Sequence, residues 1–534
     1  MDQAEIQGSK AGITAVVMMA AVMAMVDISI VNVALSDIRA SFGTPIDQIG
    51  WVSTGYMMAN IVIIPMSGWF QRRFGYRRYF STSILVFTIA SALCGMAWNL
   101  PSLVLFRILQ GLGGGAIIPT AQSILFARYP KAQHGMAAAL FGLGAITGPL
   151  LGPTIGGYLI AWFSWHWIFL VNVPLGILAA TLVLRFVEQP GFAKPQGEAA
   201  RIDVFGIALL AIGMPSLQYV LEEGNREGWL ESKTIIVLGT VAAITLVTFV
   251  VHELEAPRPV VDLRVFANRS YTAGTGINFL TGFALFSGSY LFSLFCGTVM
   301  HYSALDIGKV FLVSGAFQIV LMPLVGRFGG KAGTISVVLM PIIGRFGPKL
   351  DGRALLIVGV SVVTFSQVIA SHLTESASFW DLVAPNFIRS AGLGFIFIPV
   401  SILALSDLSP NQRGNATGIF NLTRELGGSI GTAVMGVLIT NGIKRNGSYL
   451  AENVNVYNPI AQDQMRALSG TLGSQTYTRE RLPEVVMQLK VTKQAMILSF
   501  ESGFRFTGAA LSLGLILVLL LRKPKPNVVV LDAH

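Results

Sequence analysis

Apolar runs separated by short polar connections make up nearly the whole chain. Fourteen stand out: 11–35, 49–70, 79–98, 102–126, 135–160, 166–187, 204–221, 233–252, 271–297, 307–326, 354–371, 380–404, 414–441 and 500–521. About 20 helical residues at 1.5 Å each cover a ~30 Å hydrocarbon core, so each run predicts one membrane-crossing helix. The connections alternate in charge. Those leaving even-numbered runs carry Arg72, Arg73, Arg77 and Arg78; Arg128 and Lys131; Arg185, Lys194 and Arg201; Arg258, Arg264 and Arg269; and Arg522, Lys523 and Lys525. The connections near Asn99, Ser164 and Thr374 carry no lysine or arginine. Basic loops remain on the cytoplasmic side, so both termini are expected there.

One connection breaks the alternation. Residues 442–496 are polar and include Lys444, Arg445, Arg466, Arg479, Arg481, Lys490 and Lys493. A loop this long can be translocated despite its charge, so the topology stands. It is expected to be a solvated exterior loop, or a docking surface for another protein.

The chain also repeats itself. Arg107 precedes Gly111, Gly113 and Pro119, with Pro130 eleven residues on and then His134-Gly135; in the same order Arg389 precedes Gly392, Gly394 and Pro399, with Pro410 eleven residues on and then Arg413-Gly414. Gly68 to Arg78 is echoed by Gly344 to Arg353. Two six-span halves in parallel repeat are the simplest reading, with spans seven and eight inserted between them. The expected organisation is 1–187 for the first bundle, 188–270 for the insertion, 271–521 for the second bundle and 522–534 for a cytoplasmic tail. Such repeats place a substrate site near the midplane between the halves, with access alternating by rocking. A local duplication, Val320–Gly329 recurring as Val338–Gly347, predicts a short cytoplasmic or interfacial segment after span ten.

Composition narrows the class. The 534 residues are 53% hydrophobic and 12% charged, half the charged share of soluble domains, which makes this an all-α integral membrane protein. The net charge of +10 sits mostly in the short loops, which argues against nucleic-acid binding. Cys94 and Cys296 fall inside apolar runs, so no disulfide framework is implied. The first run is too long for a cleavable signal and lacks a processing site. The six histidines show no metal-ligand spacing, and no nucleotide-binding signature is present. The chain is therefore expected to be no enzyme, to hold no metal or cofactor, and to draw energy from an ion gradient.

The candidate chemistry starts with Asp27, a carboxylate inside the first apolar run. A charge there costs at least ~2.5–3.5 kcal/mol on insertion scales, so it needs a partner, water or a function. Asp27 lies ~12 Å deep by helical rise and Arg107 of span four ~8 Å deep, close enough in depth to pair. An ion pair would keep Asp27 ionised, and removing the arginine would favour its protonation. A permanent structural pair is the alternative. Span five places Gly144, Gly148, Gly152 and Gly156 on one helix face, where backbones approach closely, with Gly157 beside them and Pro149 and Pro153 as kinks. For a substrate, span nine offers Phe279, Phe283, Phe286 and Tyr290 with Asn278 beside them, an adaptable wall for hydrophobic or cationic drugs if it faces inward. Tyr56 and Asn60, Arg389 and Arg424 are weaker candidates. Glu425 follows Arg424 directly, which predicts different helix faces for the two.

These motifs resemble a known family. Gly148-Pro149 through Gly156-Gly157 looks like the antiporter signature of the major facilitator superfamily. Asp27-Ile-Ser-Ile-Val-Asn-Val-Ala-Leu35 resembles the first-span motif of its fourteen-helix drug:proton antiporters, and Arg107-Ile-Leu-Gln-Gly-Leu-Gly-Gly114 the fourth-span motif. Trp165 to Pro174, Arg201-Ile-Asp203, and Arg424 with Gly427-Gly428-Ser-Ile-Gly431 add to it. The resemblance covers nearly the whole chain and is strongest to the EmrB-type multidrug efflux pumps. It implies a major facilitator fold of two six-helix bundles with two inserted helices, proton-coupled drug export from the bacterial inner membrane, and an antibiotic-resistance role. It also implies a periplasmic adaptor of the EmrA type and a TolC-like outer-membrane channel as partners. Arg72 departs from the pattern, standing where the superfamily usually has an aspartate. Rival readings are an exporter of one metabolite or siderophore on the same fold, and a polytopic enzyme or sensor.

Overall fold

The computed structural model describes all residues except 1–2, 46–47, 131–133, 188–202, 258, 304, 316–351, 406–407, 409, 453, 455–457, 460, 465–481 and 522–534. The duplication at 320–347 and the middle of the 442–496 connection lie outside the described residues.

In hydrocarbon every backbone N–H and C=O needs an internal partner, which restricts the apolar runs to helices. The first half comprises α1 (Gln3–Phe42), α2 (Trp51–Phe74), α3 (Tyr76–Cys94), α4 (Leu100–Arg128), α5 (His134–Trp162), the short α6 (Trp167–Leu170) and α7 (Asn172–Phe186). Then come α8 (Val204–Glu223) and α9 (Lys233–Glu255). The second half has α10 (Arg269–Thr298), α11 (305–315), α12 (Gly352–Ala370), α13 (Phe379–Leu405), α14 (Pro410–Glu452), α15 (Leu482–Ser512) and α16 (Gly514–Leu520). Among the described residues, ten helical segments are long and apolar enough to cross a membrane. Three further predicted spans are filled by α2, α3 and α5, and α11 covers the start of the run at 307–326.

Side-chain caps set where functional residues fall along the helices. Asn99 and Ser102 form a reciprocal capping box, with Ser102 N–H donating to Asn99 Oδ1 at 2.8 Å and Asn99 N–H to Ser102 Oγ at 3.2 Å. The start of α4 is thereby fixed, and with it the depth of Arg107 two turns later.

Each half has its own apolar core, around Val17, Phe80, Phe87 and Ile117 in the first and Leu356, Val360, Ile396 and Phe420 in the second. The halves meet at the ends nearest the arginine-rich loops. There Gly68 of α2 lies against the backbone of Gly414 and Asn415 so closely that an added Cβ would collide with it. Asn421 Nδ2 donates to Gln122 Oε1 at 2.6 Å, and Phe126 and Ala138 pack with Leu355, Phe395 and Ile398. The inserted α8 touches both halves, setting the Tyr219 ring at a tilt against Trp51 of α2 (5.4 Å) and donating from Gln218 Nε2 to Ser429 Oγ of α14 (3.0 Å). Only 17% of the apolar window of α9 is buried, so this helix presents its sides to lipid.

Two expectations need correction. The polar connection 442–496 is not simply a loop: α14 continues to Glu452 and α15 begins at Leu482. Likewise α1 runs from Gln3 to Phe42, beyond the apolar run. A hydropathy reading ends each helix where lipid ends, whereas helical hydrogen bonding continues into water.

Candidate functional site

Asp27 sits within a buried polar cluster between α1, α4 and α7, with 0% of its surface exposed. Arg107 Nη1 donates to Asp27 Oδ2 at 2.7 Å and to Gln110 Oε1 at 2.7 Å, while its Nε donates to Val52 C=O at 3.1 Å. Gln110 Nε2 and Asn172 Nδ2 donate to Asp27 Oδ1 at 2.9 and 2.7 Å. Asn172 also reaches Ser91 Oγ at 3.1 Å. The Arg107 guanidinium lies 4.2 Å from the Tyr56 ring centre and 5.7 Å from that of Phe169. Three N–H donors thus hold one carboxylate, the arrangement that makes a desolvated ion pair tolerable.

Local sequence builds this cluster. Arg107 and Gln110 are three apart and share a face of α4. Gly111, Gly114 and Gly115 bring α4 against Tyr56 and Asn60 of α2, since a Cβ on any of them would strike those residues. Tyr56 therefore packs against the Arg107 guanidinium and Asn60 against Gly115.

The glycine face of α5 packs on α1. Added Cβ atoms would meet Met18 at Gly144, the Met25 backbone at Gly148, Ser29 at Gly152 and Ile30 at Gly156. Ser29 Oγ donates to Gly148 C=O at 2.6 Å, locking the two helices in register. Gly157 faces elsewhere, towards Leu305. The helix containing Pro149 and Pro153 runs unbroken from His134 to Trp162.

A cavity of about 450 Å³ lies between the halves. Met25, Ile28, Ser29 and Val33 of α1 form one wall, Phe286 and Tyr290 of α10 another, with Phe311, Phe397, Arg424 and Glu425 completing it. Its walls are mainly apolar, and Arg424 and Glu425 are the charged groups on them, 3.7 Å apart. Asp27 faces the opposite side of α1 from this wall, so one helix separates the ion pair from the cavity.

Several sequence expectations change here. Phe286 and Tyr290 reach the cavity. Phe283 packs inside the second bundle, Phe279 lies where Gly427 closes on its backbone, and Asn278 Nδ2 donates to Phe420 C=O at 2.6 Å. The aromatic stripe winds across the α10–α14 interface, so only its outer end faces inward. Arg389 does not line the cavity, whereas Arg424 and the adjacent Glu425 both do. Gln110, Asn172 and Ser91 are site residues that the sequence reading does not single out. The three-residue spacing of Arg107 and Gln110 was the available signal for the first of them.

A family model described as Major Facilitator Superfamily matches residues 17–432. The chain belongs to that superfamily. It is 33% identical to "Multidrug export protein EmrB" of Escherichia coli (strain K12), over 94% of this chain and 92% of that one. It is 31% identical to the Haemophilus influenzae protein of the same name, over 96% and 95%. To "Fatty acid resistance protein FarB" of Neisseria gonorrhoeae it is 30% identical over 98% of both. The fold matches that of the proton:xylose symporter XylE with a TM-score of 0.60 at 12% identity, covering 96% of this chain and 95% of that one.

Proposed function

We propose that this superfamily member exports hydrophobic or amphipathic compounds from the bacterial cytoplasmic membrane in exchange for protons, with both termini in the cytoplasm. The observation that carries the reading is the placement of Asp27. A buried carboxylate bound to one guanidinium sits on the same helix, two residues from Met25 and Ser29 of the cavity wall. A substrate that fills the cavity presses this wall toward α4 and tightens the Asp27–Arg107 bond, so that drug and proton bind in turn. Loosening that bond favours proton uptake, and reforming it favours release. The names of the full-length relatives support drug export as the task.

The cavity supports the substrate class. Aromatic and aliphatic walls suit apolar bodies, Glu425 suits a cationic group and Arg424 an anionic one. Alternating access requires the seam at Gly68 and Asn421 to part while α1 and α5 move together. Substrate-dependent proton flux in proteoliposomes tests the reading, and its absence with any compound the cells resist would refute it.

Two further results are expected. Phe286→Ala and Tyr290→Ala should change the pattern of drugs resisted, by about tenfold for bulky aromatic compounds, with little effect on protein abundance. Susceptibility panels read this directly. Export through a periplasmic adaptor of the EmrA type and a TolC-like outer-membrane channel predicts that deleting residues 455–485 impairs efflux from whole cells more than transport into vesicles. Equal losses in the two assays would remove the docking role.

A further inference from the structure

The internal repeat sets Arg389 of α13 in the position that Arg107 occupies in the first half. In the first half the guanidinium meets a carboxylate on the opening helix of its bundle, Asp27 on α1. In the second half it meets a glycine on the opening helix, Gly288 on α10. A Cβ built on Gly288 would stand 2.7 Å from Arg389 Nη1 and 2.7 Å from Gln367 Nε2. Two N–H donors therefore converge beside Gly288, where the first half supplies a negative charge.

The donors outnumber their acceptors. Arg389 is 5% exposed and Gln367 2%. Arg389 Nη2 donates to Asn386 Oδ1 at 2.9 Å, but among the described residues Arg389 Nε and Gln367 Nε2 have no hydrogen-bond partner. Among the described residues no carboxylate pairs with Arg389. A guanidinium cannot shed its proton to escape this, and an uncompensated buried charge costs several kcal/mol. Donors without acceptors around one positive charge select a small anion carrying a single negative charge.

We infer that the unpartnered N–H donors of Arg389 and Gln367 beside Gly288 bind a small inorganic monovalent anion, chloride being the abundant one, as an exchangeable counterpart of Asp27. This donor cluster is separate from the lining of the central cavity. Ser289 and Tyr290 turn toward the cavity, whereas Gly288 turns toward α12 and α13, so a substrate head group in the cavity does not reach it. The inference is independent of what the protein exports.

Thermal unfolding of the purified full chain in nanodiscs, in sodium chloride, bromide or gluconate at equal ionic strength, tests it. Chloride and bromide should raise the Tm saturably over gluconate, by about 3 °C or more. Gly288→Asp supplies a built-in carboxylate against two flexible side-chain ends and should make the Tm insensitive to halide. Arg389→Gln, which removes the charge, should also lose the response and covers the case in which the aspartate variant fails to fold. A wild-type Tm equal in chloride and gluconate, or a full halide response in either folded variant, would overturn the assignment.

Discussion

Asp27→Asn should abolish drug resistance in an efflux-deficient host while leaving protein in the membrane. Asparagine keeps the shape of the side chain, and its carbonyl can still accept from Gln110 and Asn172. It cannot exchange a proton. Removing one partner of a buried pair costs about 3–5 kcal/mol, because the other charge is left uncompensated. Here Arg107 retains Gln110 Oε1 and Val52 C=O as acceptors, which softens the loss. Transport should therefore fall to background with abundance reduced by less than about half, as immunoblots of membranes would show. Full resistance in this variant would exclude Asp27 from the mechanism.

Gly148→Val should be nearly as damaging for a different reason. Gly148 lies against the Met25 backbone, where a Cβ would come within 2.6 Å of the Met25 carbonyl carbon and 2.7 Å of its Cβ. Neither backbone can yield, and overpacking of this kind costs about 1–3 kcal/mol or more. The displaced helix is α1, which bears both Asp27 and one wall of the cavity. Transport should drop at least about tenfold, and the Tm with it. Gly157→Ala provides the contrast, because its Cβ would make only an ordinary 3.5 Å contact with Leu305. Export should be near normal there. Equal tolerance at both positions would show that close α1–α5 packing is dispensable.

Much of the architecture is legible in the chain because lipid enforces it. Long apolar runs become helices, basic loops mark one face, and the recurring order of glycines and prolines after Arg107 and Arg389 points to two halves. Asp27 and Arg107 stand out because charge in hydrocarbon is expensive, and their similar depth suggested the pairing that the coordinates contain. Helical rise gives depth but not rotation, and rotation decides the rest. The stripe from Phe279 to Tyr290 looks continuous along α10, yet close packing of Gly427, Gly428 and Gly431 against α10 leaves only its outer end to the cavity. Arg424 and Glu425 look divergent as sequence neighbours, but both side chains reach the same opening. Polar helix extensions beyond the membrane, as in α14 and α15, carry no apolar run and so leave no trace in hydropathy.

The central claim is that substrate binding and protonation of Asp27 are linked. Adding a transported drug to purified protein in weakly buffered solution measures this directly, through the protons released. Wild-type protein should release protons saturably with drug concentration, and Asp27→Asn should bind drug but release none. Equal proton release from the two proteins would contradict the account.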